Sequence, residues 1–151
     1  MEINFDELEN FIAEARRNTY AGDGRRIENP FLAGSVQLEY KKGEYFYRDI
    51  YFGGEKNFAG QEVVYQNDKP IWSMVYCGSA EPEEVTDFLK KSLSNLSEKC
   101  RFGEECNFEE RNFRYEDRGE GMLERFSGEE KIFIKGKNVY KLNYHGGLIL
   151  K

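Results

Sequence analysis

A single histidine, one tryptophan, three cysteines and three prolines are spread over 151 residues. These scarcities narrow the functional classes. Three cysteines at unpatterned spacing do not make a disulfide framework and suit a reducing compartment. Cys100 and Cys106 stand six apart with no second ligand pair, so they do not read as a zinc site. No apolar run approaches the roughly 18 residues that span a bilayer. Glu2, Asp6 and Glu7 occupy the start, where a signal peptide would carry positive charge. The expectation is a cytoplasmic protein without a membrane partner. A net charge of −6 and a sequence pI near 5.0 also lack the basic footprint that direct nucleic-acid binding requires. No nucleophile, metal or phosphate motif stands out, and the sequence calls for no cofactor.

What is present is a self-similar pattern. Phe58-Ala59-Gly60-Gln61-Glu62 and the run from Pro70 to Gly78 recur as Phe126-Ser127-Gly128-Glu129-Glu130 and Asn138 to Gly146. The offset is constant, since 128 − 60, 130 − 62 and 144 − 76 all equal 68. It reads as an internal duplication within one domain, residues 1–151, with halves at about 4–78 and 82–147. A chain of this length buries roughly 68–70% of its unfolded surface.

Asn4 and Glu7 resemble a capping box, and Phe5, Leu8, Phe11, Ile12 and Ala15 share one helical face. A polar segment from Asn18 to Gly34 follows, in which Gly22-Asp23-Gly24 reads as a helix break. Strands are expected at 36–40, 45–52, 58–65 and 70–78. Pro82, Glu83 and Glu84 suit a second helix start, and Val85, Phe88, Leu89, Leu93 and Leu96 form its apolar stripe. The charged stretch 99–109 reads as a connector. Strands at 111–117, 122–126, 130–134 and 138–144 complete the second half. The expected class is therefore α+β: two copies of a helix plus an antiparallel meander, pseudo-twofold related, with the helices on one side of the sheet.

Lys141, Asn143 and His145 mark the wet face of the last strand, so Tyr140, Leu142 and Tyr144 face inward. With a three-residue hairpin loop, Ile132 lies opposite Tyr140, Glu130 opposite Leu142 and Gly128 opposite Tyr144. The same register sets Val64 by Trp72 and Glu62 by Met74. Glu62 and Glu130 then point among aromatic rings, where an isolated charge costs several kcal/mol.

Three readings stay open. Each glutamate is a structural acceptor for a Tyr, Trp or backbone donor. Alternatively, Glu62, Trp72, Tyr76, Glu130, Tyr140 and Tyr144 floor a cleft for a small aromatic or cationic ligand. Or the two acids act as general acid and base. Asp49 and Asp117 pose the same question from strand positions, while Cys77 and His145 occupy equivalent sites that a pseudo-twofold axis could bring together. A ligand-binding or sensory domain is the leading function. Its rivals are an interaction or homodimerisation module and a glutamate-dependent enzyme.

The run Phe11-Ile12-Ala13-Glu14-Ala15 with Thr19-Tyr20-Ala21-Gly22, the Phe58 to Glu62 block, Pro70 to Tyr76 with Gly78, and Tyr144-His145-Gly146-Gly147 resemble an uncharacterised domain family of bacteria and archaea. In some proteins that family follows an Xre-type helix-turn-helix module. The resemblance implies a sensory or effector domain and assigns no functional residues. This sequence shows no helix-turn-helix segment. A looser likeness of arrangement links it to GyrI-like drug-sensing domains, which have a cleft with a buried glutamate.

Overall fold

Among the described residues ten elements follow one another in the order α1 (Phe5–Asn18), β1 (Val36–Lys42), β2 (Tyr45–Gly53), β3 (Asn57–Gln66), β4 (Lys69–Ala80), α2 (Glu84–Asn95), β5 (Glu105–Glu110), β6 (Phe113–Met122), β7 (Arg125–Ile134) and β8 (Lys137–Leu148). The structure is a computed structural model that describes residues 3–22, 24, 26–54, 56–81 and 84–149. Glu2, Asp23, Pro82, Glu83 and the side chain of Glu84, used in the sequence reading, lie outside that description.

All eight strands belong to one antiparallel sheet in the order β1-β2-β3-β4-β8-β7-β6-β5. Two four-stranded meanders therefore meet along β4 and β8, where Tyr76 pairs with Tyr144. The expected α+β class is corrected: eight strands and two helices of 14 and 12 residues make a largely β fold. The helices do not follow the 68-residue spacing. Displaced by 68, α1 would cover 73–86, most of which is β4. The strand pattern misled the reading because each helix happens to precede a meander.

Each element has a local cause. The Asn4 side chain accepts from the Glu7 backbone N–H at 3.3 Å, which starts α1. Leu8, Phe11, Ile12 and Ala15 are then buried on one face of the helix. Phe11 stacks on Tyr45 of β2, and Phe88 of α2 lies 4.9 Å from Phe113 of β6. Both helices thus cover the same sheet face. Lys141, Asn143 and His145 on the opposite face are exposed.

The hairpin pairings are Ile132 with Tyr140, Glu130 with Leu142, Gly128 with Tyr144, Val64 with Trp72 and Glu62 with Met74. The loops producing them are shorter than expected. Asn67-Asp68 and Lys135-Gly136 are two-residue turns with positive φ throughout, the geometry that matches strand twist. A bulge beside Val64/Tyr65 and Ile132/Phe133 then supplies the extra residue, Ile71 in β4 and Val139 in β8.

Two further features differ from the sequence reading. The stretch expected as a connector contains edge strand β5, whose Cys106 and Phe108 turn inward between the polar neighbours Glu105, Asn107 and Glu109. Cys100 and Cys106 also form a disulfide, with Cα atoms 5.9 Å apart. The bend at Arg101 and Gly103, both at positive φ, folds the chain back and brings the two cysteines together.

Candidate functional site

The centre of the covered sheet face carries charge. Asp49 of β2 pairs directly across from Glu62 of β3, and Asp117 of β6 pairs across from Glu130 of β7. All four are at most 5% exposed. Adjacent carboxylates in a low-dielectric setting repel strongly, so cations or protons must compensate. Two arginines supply part of that compensation. Arg16, near the end of α1, donates from Nη2 to Glu62 Oε2 at 2.7 Å and from Nε at 3.0 Å. Arg101, 6% exposed in the disulfide loop, pairs with Glu130. It also lies 3.6 Å from Asp117 and 3.9 Å from Glu62.

Tyrosines complete the acceptors. The Tyr76 hydroxyl donates to Asp49 Oδ1 at 2.7 Å, and that of Tyr144 donates to Asp117 Oδ1 at 2.6 Å. Each reach spans a strand, and a glycine makes room for it. A Cβ on Gly60 would sit 2.5 Å from the Tyr76 oxygen, and one on Gly128 would strike the Tyr144 oxygen. The glycine two places before each glutamate is thus the floor over which a tyrosine lies. Tyr140 adds a bond to Glu130 at 3.2 Å.

The two meanders differ in what fills the space above these acids. On the β6–β7 side, the backbone of Arg101 rests on Gly119, where a Cβ would come within 2.8 Å of the Arg101 carbonyl oxygen. Phe102 packs edge-on against Trp72 and Phe126. On the β2–β3 side the position 68 residues before Gly119 is Tyr51, and the space is open. A cavity of about 700 Å³ lies there between the C-terminal end of α1, α2 and the sheet. Its polar wall carries the acids Asp49, Glu62 and Glu130, the cations Arg16, Arg26, Lys90 and Arg101, and Tyr76, and Leu38, Val85, Leu89 and Phe58 contribute apolar surface.

Asp49 is the carboxylate among the four for which the described residues provide no arginine contact within 4 Å. Burial, then the charge of Glu62, raises its pKa to about 7, against the pull of the Tyr76 hydrogen bond and the two arginines. Burial raises Asp117 as well, opposed by Arg101 and the Tyr144 hydroxyl. Although burial works against the charge of Arg101, Asp117, Tyr115, Glu62 and Tyr144 raise its pKa above the ordinary arginine value. The guanidinium stays charged.

Of the residues singled out in the sequence, Glu62, Tyr76, Glu130, Tyr140 and Asp49 line this cavity. Trp72 and Tyr144 are buried below it: Trp72 stacks on Phe126 at 5.7 Å, and Tyr144 is committed to Asp117. Asp117 lies beside Arg101 and does not line the cavity, which Arg101 borders. Cys77 and His145 are exposed and are not Cα partners, since Val75 pairs with His145 and Cys77 with Asn143.

Sequence reasoning missed both arginines. Arg16 follows Ile12 by four residues at the border of the apolar stripe, a usable signal. Arg101, between a cysteine and a phenylalanine in a bend, gave none.

Fold and site together describe a largely β, single-sheet domain with a buried centre of acids and arginines beside a cavity. The chain belongs to a family described as a domain of unknown function, DUF5680, whose model matches residues 49–149. That span begins at Asp49 and includes all four buried acids and Arg101. No curated protein and no solved structure matches the chain significantly.

Proposed function

We propose that this is a ligand-binding, sensory domain whose cavity takes a small organic cation, with its charged end at Asp49 and its apolar body against the helices. The observation that carries this reading is the place of Asp49 at the cavity wall, with no cation partner of its own among the described residues. Of the four buried carboxylates, Asp49 has no arginine within 4 Å among the described residues, and it borders the open space, whose wall also carries Glu62, Glu130, Arg16, Arg26, Lys90 and Arg101. The volume, about 700 Å³, lies within the roughly 300–1,000 Å³ typical of small-molecule sites. An ammonium group beside Asp49 would offset the repulsion from Glu62 and pair with the ionised Asp49 carboxylate.

The reading treats the two meanders as related halves. Asp49, Gly60, Glu62 and Tyr76 then correspond to Asp117, Gly128, Glu130 and Tyr144. In the second half a guanidinium of the chain's own, Arg101, already lies over the acids. In the first half Arg16 holds Glu62, and Asp49 is left to a cation from outside.

The test compares benzylamine and alkylamines with their neutral alcohol counterparts by thermal shift and calorimetry. Amines are expected to raise the melting temperature, the alcohols to have little effect, and Asp49→Asn to abolish the difference. Equal shifts from amines and alcohols, or amine binding unaffected by Asp49→Asn, would defeat the reading.

A further inference from the structure

We infer that the Cys100–Cys106 disulfide is a redox-controlled clasp that holds Arg101 over Asp117 and Glu130, and that its reduction opens a second cation site there. This rests on the reading above in one respect, that the acid centre accepts external cations.

The loop is short, closing between residues 100 and 106 at the edge of the sheet. It carries one charged side chain to the centre. Arg101 pairs with Glu130, approaches Asp117 and Glu62, and places its guanidinium 5.1 Å from the Tyr144 ring centroid. The loop pays for that reach in backbone conformation: Arg101 has φ +80°, which is unfavourable for a side chain of this kind. Gly119 of β6 leaves room for the loop to sit down, and a Cβ on Gly103 would come 2.7 Å from the Gly121 carbonyl oxygen. Beyond the bend, β5 pairs only with β6, so the loop is tied down on one side. Phe102, packed against Trp72 and Phe126, and the disulfide add restraint to a strained segment. Cys100 and Cys106 are themselves buried, at 5% and 9% exposure, with Glu104 and Glu105 exposed beside them.

Reduction by a dithiol balances simply. One thiolate of the reductant attacks a cystine sulfur to form a mixed disulfide, and its second thiol resolves that bond. Cys100 and Cys106 leave as two thiols, and the reductant takes up the disulfide; two electrons and two protons pass to the protein. Freed of the crosslink, the loop regains conformational entropy and lifts Arg101 from the acids. Asp117 and Glu130 then face a cavity wall that Glu130 already borders.

Trypsin reads this directly, because it cuts after Arg101 only when the loop leaves the sheet. The full chain is digested at low protease, oxidised and after dithiothreitol treatment with free thiols counted. Mass spectrometry follows the cut between Arg101 and Phe102. Reduction is expected to speed that cut roughly tenfold or more, and Cys100→Ser/Cys106→Ser to reproduce the effect without reductant. Methylguanidine, competing with Arg101 for the acids, is expected to speed it further in the reduced chain and not in the oxidised one.

An unchanged rate in the double variant overturns the clasp. So does uniform cleavage throughout the sheet on reduction, which would make the disulfide a global staple. Cleavage in the double variant, with no thiols released by dithiothreitol, overturns the redox role. Because the Arg101 cut needs no amine, its outcome is separate from the failure or success of amine binding at Asp49.

Discussion

At the scale of single residues, Asp49 sets the behaviour of the centre. Its pKa is raised, from an ordinary 3.8 to about 7, so the folded chain holds a proton that the unfolded chain releases. The native state therefore binds more protons between those limits. Stability is greatest below the unfolded value and falls as pH rises from about 4 to about 7, by on the order of 1 kcal/mol per pH unit. Asp49→Asn keeps an oxygen for the Tyr76 hydroxyl and removes the titration. Melting curves of this variant are expected to lose that part of the pH slope and to exceed wild type at pH 8. Arg16 shows the opposite dependence on charge. Removing it as Arg16→Met strands Glu62, 5% exposed, and is expected to cost about 3 kcal/mol in urea unfolding. The double variant Arg16→Met/Glu62→Met should recover most of that loss.

At the scale of elements, the two hairpins hold the acids inward through turn and bulge together. Asp68 and Lys135 sit at φ +63° and +49°, where glycine or asparagine is less strained. Asp68→Gly is expected to stabilise the chain by roughly 0.5 kcal/mol in urea unfolding. Gly60→Ala should do the reverse. Its Cβ would sit 2.5 Å from the Tyr76 oxygen, pushing the hydroxyl off Asp49 at a cost of about 1–3 kcal/mol. The hairpin register was legible because period-two alternation, with Lys141, Asn143 and His145 on one face, leaves Glu130 no outward option. Loop length was not, since a two-residue turn plus a bulge pairs the same side chains as a three-residue loop. Strand β5 stayed hidden because two inward residues, Cys106 and Phe108, alternating with Glu105, Asn107 and Glu109 are too few to mark a strand, and the same stretch concealed the disulfide.

At the scale of the whole molecule, one sheet carries both acid pairs, and the centre exists only because β4 and β8 join the two meanders. Glu62 and Glu130 were legible as inward carboxylates. That Asp49 and Asp117 stand directly across from them depends on the β2–β3 and β6–β7 registers, which no local pattern fixed. Arg101 reaches the acids through a bend that sequence periodicity does not describe. The helices were visible by their apolar stripes, but two short helices over eight strands do not make an α+β fold. No helix among the described residues is long and apolar enough to cross a membrane. The cavity belongs to this scale too, since it needs α1, α2 and the sheet at once. A cation bound beside Asp49 favours the ionised carboxylate. Amine affinity is therefore expected to rise between pH 6 and pH 8, and calorimetry at the two values checks it.

The most direct measurement is a carbon-13 carboxyl NMR titration of Asp49, alone and with saturating benzylamine. The expected result is titration near 7 in the free protein and a clear drop when the amine is bound. Titration near 4 in the free protein, or a midpoint that the amine leaves in place, would contradict the claim that a cation binds in the cavity at Asp49.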